Sequence, residues 1–293
     1  MRTSHWTDKV ARLVFTAAAA NAILIVFLIF VFIGAESRTF MGTEGLGALL
    51  DTQWVPTSEI DARYGLLPIL GGSLLVTFLA TLFAIPFGVI GAIYLAEVAK
   101  PWEREILKPF VEMLAGIPSV VVGFFGVVVL GPMVRDVFGL NTGFTALTAA
   151  LLLALMAVPT ILTISEDAIR NVPSAYKQAS VALGASRLQT IFKVCVPAAL
   201  SGIVAAVMLG IGRVVGETMA VLMVAGGRPV ITANPMDGVR TMTATIAAEM
   251  GDVAVGDTHY SVLFVVGVVL LLMTFTLNFI AQRVLKKYGY HQA

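Results

Sequence analysis

SEDAIRNVPSAYKQASVALGASRLQTIFKVCVP, residues Ser165–Pro197, separates two long apolar runs. It carries Glu166, Asp167, Arg170, Lys177, Arg187 and Lys193. Lipid does not accept that many charges, so the chain must surface here. The stretch predicts two short helices. Pro173 suits a first helical turn, where its missing N–H is no loss. Gly184 suits the left-handed residue that closes the first helix. Ser186, with Gln189 three residues on, predicts a capping box that opens the second.

Outward from that stretch the chain is apolar. Of its 293 residues 58% are hydrophobic and 13% charged, and the mean hydropathy is +0.92. Soluble domains carry about 25% charged residues. The deficit runs the whole length and predicts an all-α, polytopic membrane protein. A net charge of +1 gives no footprint for nucleic acid. The single cysteine, Cys195, excludes an internal disulfide and argues against thiol or zinc chemistry. His5, His259 and His291 are too scattered to suggest a metal cluster and read as incidental surface or interface residues.

About 20 apolar residues cross a bilayer as a helix, and six stretches qualify: Val14–Ile33, Ile69–Ala96, Ile117–Val134, Gly143–Ile164, Val194–Val224 and Ser261–Ala281. The first is longer than a signal core and lacks a clean cleavage site, so it is read as a true span. Pro86 in the second predicts a packing kink. Arg213 and Glu217 interrupt the fifth. Segments 1–13 and 285–293 flank one membrane domain, 14–284, which contains the charged loop 165–197. No tandem repeat or flexible linker divides it.

Charge sets the expected orientation. Arg2, Lys9 and Arg12 lie near the N-terminus, and Arg283, Lys286 and Lys287 near the C-terminus. The segments after the first span and before the last are acidic, with Glu36, Glu44, Asp51, Glu59 and Asp61 in one and Asp237, Glu249, Asp252 and Asp257 in the other. Six spans therefore put both termini and the Ser165–Lys193 loop in the cytoplasm. The Glu97–Glu112 loop belongs there too, though its mixed charge is neutral on the point. The external segments Gly34–Pro68 and Ala225–Asp257 are either ordinary solvated loops or a docking surface for an external partner. The second of them predicts a turn at Gly226–Pro229 and a helix over Thr241–Met250.

No catalytic set is present. The chain has no Gly-rich loop ending in Gly-Lys-Ser/Thr, no Gly-x-Ser-x-Gly and no His-Glu-x-x-His. Gly210-Ile-Gly212-Arg213-Val-Val-Gly216 lacks dinucleotide spacing. Arg213 and Glu217, four apart, are expected on one helical face. A charge at mid-membrane costs about 2.5–3.5 kcal/mol on the gentler scales, so it has a reason to be there. Either the two lock helix packing as an ion pair, or Arg213 meets an anion while Glu217 holds it or trades partners with it. A guanidinium fork suits phosphate oxygens. Gly212 and Gly216 are expected to admit another helix closely, with Gly210, Thr218 and Met219 completing a face along a path. Pro118 and Ser119 open the third span. They form either a plain helix start at the interface or a positive helix end that can hold an oxyanion.

The order Gln178-Ala179-Ser180, three residues, Gly184, nine residues, Val194-x-Val196-Pro197 resembles the cytoplasmic signature of ABC importer permeases: Glu-Ala-Ala, three residues, Gly, nine residues, Ile-x-Leu-Pro. The spacing is met throughout. Gln178 replaces the glutamate, Ser180 an alanine, and valines the Ile and Leu. The small Ala179 and Ser180 let a partner close on the helix. The competing reading is an amphipathic loop on the lipid headgroups. Gly210–Val221, Ala115–Gly126, Thr258–Phe264 and Thr274–Arg283 are similar to phosphate importer permeases, nearest to the PstC-type subunit.

That resemblance implies a type I ABC importer permease fold with six spans and a cytoplasmic coupling helix, in a bacterial plasma membrane. It implies import of inorganic phosphate, with Arg213, Glu217 and Thr218 along the path and Gln178, Ala179, Ser180, Gly184 and Pro197 coupling to a motor. The expected partners are a PstA-type second permease, a pair of cytoplasmic ATPase subunits that hold the ATP and Mg2+, and an external phosphate-binding protein. This chain would bind no cofactor or metal itself. The alternatives are another oxyanion, such as sulfate or molybdate, or a secondary transporter working without an ATPase. Pro197 leads directly to the span of Arg213, so one continuous helix is expected to join the loop to the anion path.

Overall fold

A computed structural model describes residues 5–58 and 60–288. Arg2, Glu59 and His291 lie outside the described residues, as do the outer parts of the two terminal segments.

The chain opens with α1 (His5–Thr43), a long apolar helix exposed along nearly its whole length. A 3-10 turn over Leu46–Leu50 leads to a small hairpin, β1 (Trp54–Val55) and β2 (Arg63–Tyr64), paired Trp54 to Tyr64. Next come α2 (Leu67–Ile93), continued by a π-type turn over Tyr94–Val98, and α3 (Pro101–Ala115). The third span is assembled from α4 (Ser119–Phe125), a π-type turn over Gly126–Leu130, and α5 (Gly131–Phe138). Helix α6 (Ala146–Arg170) follows.

Two short helices, α7 (Ser174–Ala182) and α8 (Arg187–Thr190), form a knob. A π-type turn over Ile191–Cys195 and α9 (Val196–Ala198) run into α10 (Leu200–Gly216) and α11 (Met219–Val224). The chain ends with α12 (Met242–Glu249) and α13 (Thr258–Tyr288). Among the described residues five helices are long and apolar enough to cross a membrane, and six spans result if the bent pair 187–198 and 200–216 is counted as one.

Helix α6 is the centre. Ala149, Ala150, Leu152 and Ala157 on it are fully buried. Helix α2 meets it with a stripe of one residue every four, Val76, Ala80, Ala84, Gly88 and Ala92, all buried. Between apolar helices in lipid, association rests on packing, and small side chains let backbones approach. A Cβ on Gly88 would stand 2.7 Å from Ile161 Cγ2, and one on Gly91 2.7 Å from Leu162 Cδ1. Helix α1 packs on α13 at the periphery, with the rings of Phe32 and Phe264 edge to face at 5.6 Å.

The non-spanning pieces gather at two ends. The knob and α3 share one end, and the hairpin and α12 share the other, which we term the cap. At the cap, Glu249 accepts from Trp54 Nε1 at 3.1 Å, pairs with Arg240 at 2.9 Å and meets His259 Nε2 at 2.9 Å. Helix α1 runs on to Thr43, so the first external segment is shorter than the expected Gly34–Pro68, and its hairpin is packed against the segment 225–257. His259 is a buried member of this network and not the surface residue its isolation suggests. Gly226 and Gly227 turn the chain with φ of +92° and +65°, and Thr241 caps α12 by accepting from Ala244 N at 3.3 Å.

Three expectations on the fold need correction. The fourth span runs past Ile164 to Arg170, so Glu166, Asp167 and Arg170 belong to its last turns. Partners on α3 make that possible, as shown below. The Glu97–Glu112 segment is mostly the helix α3, opened by Pro101 and by Glu103 Oε2 accepting from Lys100 N at 2.9 Å. The fifth span is not one helix. It bends by 69° between 187–198 and 200–216, just after Pro197, which cannot donate to the turn before it. It breaks again at Glu217, whose backbone is extended at φ −71° and ψ 133°.

Candidate functional site

Arg213 stands in the last turn of α10 and is half-buried. Its Nη1 donates to Thr160 Oγ1 at 3.3 Å and its Nη2 to the Ala115 carbonyl at 3.3 Å. Thr160 lies on α6, and Ala115 ends α3, three residues before Pro118. Arg213 is thus held against the junction where the third span begins. Among the described residues it has no carboxylate within ion-pair distance: both acceptors are neutral, so the charge is oriented but not cancelled.

Glu217 is elsewhere. Because α10 ends at Gly216, Arg213 and Glu217 do not share a helical face, and no ion pair joins them among the described residues. The Glu217 carboxylate accepts from Ala220 N at 3.4 Å, at the start of α11, where the helix dipole favours a negative charge. Its carbonyl accepts from Thr243 Oγ1 at 2.9 Å, and its side chain lines a small cleft with Ser73, Thr77, Thr241 and Thr243. Thr218 precedes α11 and donates to the Gly216 carbonyl at 3.3 Å.

Pro118 sits one position ahead of the first turn, with Ser119 the first residue of α4. Its carbonyl accepts from Val121 N at 3.0 Å and Val122 N at 3.2 Å. The structure thus brings Arg213 and the Pro118–Ser119 helix start into one neighbourhood. It separates Arg213 from Glu217.

The expected close approach at Gly212 and Gly216 is also absent: nothing stands within 4 Å of a Cβ placed on either. The crowded glycines of α10 are Gly210, where a Cβ would lie 2.5 Å from Ile161 Cγ1, and Gly202, 2.4 Å from Ala168 Cβ.

The knob follows its local signals. Pro173 directly precedes α7. Gly184 has φ +82°. Gly184 N donates to Val181 O at 2.9 Å and Ala185 N to Ser180 O at 3.2 Å, the paired bonds of a Schellman ending. Ser186 and Gln189 cap each other reciprocally. Ser180 Oγ and Thr190 Oγ1, 2.9 Å apart, tie α7 to α8. Gln178 and Ala179 are exposed, and so are Tyr176, Val181, Leu183, Leu188 and Phe192. That apolar surface on a charged knob suits another protein better than water. Pro197 lies beyond it, in α9 at the bend.

Two ionic attachments fasten this end, and neither is visible in the linear sequence. Glu166 of α6 is fully buried and accepts from Arg104 Nη2 and from Lys108 Nζ, the latter at 2.7 Å. Lys108 also holds Asp167 at 2.8 Å. Burial lowers the Lys108 pKa, but hydrogen bonds and charge from Asp167 and Glu166 outweigh it, and the net shift is upward. The second attachment is Glu97, in the π-type turn after α2. Its carboxylate accepts from Lys177 of α7, and its carbonyl from Arg187 of α8. Sequence reasoning missed Thr160, the Ala115 carbonyl and Glu97. Their partners lie 53, 98 and 80 positions away.

Comparison with known proteins adds the following. Residues 84–289 match the family model for the binding-protein-dependent transport system inner membrane component. "Probable ABC transporter permease protein YqgH" of Bacillus subtilis is 39% identical over 94% of this chain and 90% of its own length. "Phosphate transport system permease protein PstC" of Mesorhizobium japonicum is 32% identical over 96% and 90%. Among solved structures, a chain of a bacterial alginate ABC transporter superposes with TM-score 0.67 at 14% identity, covering 97% of each chain. A chain of the MetNI methionine ABC transporter superposes with TM-score 0.60 at 22% identity, covering 75% of this chain and 94% of its own. At those identities the superpositions speak to fold: the chain has the architecture of ABC importer permeases.

Proposed function

The chain belongs to the family of binding-protein-dependent transport system inner membrane components, and from that membership we propose that it is the membrane-spanning subunit of an ATP-driven importer of inorganic phosphate. It is a transport subunit and not an enzyme. Several relatives of similar length carry the name PstC and the description phosphate transport system permease protein, which favours phosphate over sulfate or molybdate. The single observation that carries the reading is Arg213: a half-buried guanidinium among membrane helices, aimed by Thr160 and Ala115 O and balanced by no described carboxylate. A planar fork in that state is a ready partner for an oxyanion.

The assigned roles follow. Phosphate passes Arg213, with the Pro118–Ser119 helix start beside it, and Glu217 and Thr218, past the break in the fifth span, shape the path further on. The knob, through Gln178, Ala179, Ser180 and Gly184, docks on one of two cytoplasmic ATPase subunits, which bind ATP and Mg2+. Pro197 bends the chain from the knob toward the path. A second, PstA-type permease completes the pore. The cap receives an external phosphate-binding protein. The knob end and both termini face the cytoplasm of a bacterial cell.

Purification of the tagged chain from its own membranes tests this. The expected result is co-purification of an ATPase subunit, and uptake of labelled phosphate that excess unlabelled phosphate suppresses and sulfate and molybdate do not. Equal suppression by sulfate or molybdate moves the substrate to that oxyanion. Uptake by the chain alone along an ion gradient removes the ATP-driven reading.

A further inference from the structure

The 69° bend after Ala198 removes the straight helix that would carry motion from the knob to Arg213. Another connection is present. Lys177 on α7 and Arg187 on α8, one from each knob helix, both grip Glu97 at the end of the second span. Lys177 takes the carboxylate, whose side chain is 13% exposed. Arg187 takes the carbonyl, one of the acceptors that a helix end leaves without an intrahelical donor. Two cations at a helix C-terminus also complement its dipole. From Glu97 the contact continues through packed groups. Gly88 and Gly91 of α2 lie directly against Ile161 and Leu162 of α6, and Thr160, next to Ile161, holds Arg213 at 3.3 Å.

We infer that Glu97 is the joint through which the knob moves the second span, and so a positioning residue for transport that acts through Lys177 and Arg187. This rests on the reading of the knob as the ATPase-docking element. The physical warrant is contiguity: a close-packed interior with no slack transmits displacement, and each link from the knob to Arg213 is either a specific contact or a run along one helix. A joint of this kind does not contribute to docking. Its loss leaves the motor attached and hydrolysing while transport falls behind.

The test uses the complete importer in proteoliposomes and reads phosphate moved per ATP hydrolysed. Glu97→Gln and Lys177→Met are each expected to keep the ATPase subunit bound and to lower that ratio by about fivefold or more, the scale of a typical coupling energy. The charge swap Glu97→Lys with Lys177→Glu restores most of it, because the pair is re-formed while the Arg187 bond to the carbonyl is untouched. A merely structural role would change yield or thermal stability and would leave the ratio alone. An unchanged ratio in both single variants overturns the inference, as does a swap no better than Glu97→Lys alone. If the unaltered chain retains no ATPase subunit, the docking reading itself fails and the joint falls with it.

Discussion

Arg213 donates to the backbone carbonyl of Ala115 at 3.3 Å, which pins the end of α10 to the junction of α3 and α4. A backbone carbonyl orients a guanidinium without neutralising it. The same end of α10 is therefore fixed in position and still electrically available. Glu217, four residues on, serves the start of α11 with its carboxylate and the Thr243 hydroxyl of α12 with its carbonyl. The site around Arg213 is thus built from α10, α6 and the junction of α3 with α4.

The Schellman ending of α7 should depend on backbone conformation alone. A Cβ at Gly184 meets nothing within 4 Å, but φ is +82°. Gly184→Val is expected to cost about 1–2 kcal/mol locally and to weaken retention of the ATPase subunit. Gly184→Asn should retain it, because Asn visits the left-handed region readily. Co-purification of tagged variants decides, and equal retention for both would remove the backbone argument.

The glycines of α10 should separate sharply. Gly210→Ala drives a methyl against Ile161 and is expected to lose about 1–3 kcal/mol by overpacking. Gly212→Ala faces open space and should be neutral within about 0.5 kcal/mol, or gain from the better helix former. Thermal unfolding in detergent reads the difference, and equal effects at the two positions would contradict the packing described.

Fastening of α3 to α6 rests on Glu166. Glu166→Gln removes the buried negative charge that Arg104 and Lys108 share and should destabilise by about 3 kcal/mol, the low end for a broken buried pair because both cations reach water. The pH dependence has a definite sign. The Lys108 pKa is raised from its ordinary 10.5, so its contribution is complete below that value and is lost as pH rises through the raised one. Melting temperatures should fall more steeply in that alkaline range for the unaltered chain than for Lys108→Met. Parallel curves would contradict the clamp.

At the cap, Glu249 gathers Trp54, Arg240 and His259. Glu249→Ala should loosen the hairpin, at a cost of about 2 kcal/mol for the donors left unpaired. Faster proteolysis within 51–64, with the spans intact, is the expected sign. Unchanged cleavage would mean that the hairpin is held by the packing of Phe40 on Tyr64 instead.

What the sequence made legible was local. The spans follow from hydropathy. The knob follows from Pro173, Gly184 and the Ser186–Gln189 box, each acting within four residues of itself. Helix α3 was legible in principle: Trp102, Ile106, Phe110 and Met113 form one exposed apolar stripe beneath the mixed charges. The break at Glu217 was hidden because Arg-x-x-x-Glu has helical spacing whether or not the helix continues. Glycine marks closeness without saying which face is close, so Gly212 and Gly216 looked like Gly210. Glu97, Thr160 and Ala115 became functional candidates only through partners far away in the chain.

The central claim is that Arg213 meets the transported anion. It is tested most directly by ATP-driven uptake of labelled phosphate into proteoliposomes holding the complete importer with Arg213→Gln or Arg213→Lys. Loss of a charge-assisted bidentate contact predicts a fall of about tenfold or more for Arg213→Gln, with partial activity for Arg213→Lys, which keeps the charge without the fork. ATPase retention should be unchanged in both. Normal uptake in Arg213→Gln, in a fully assembled complex, would contradict the account.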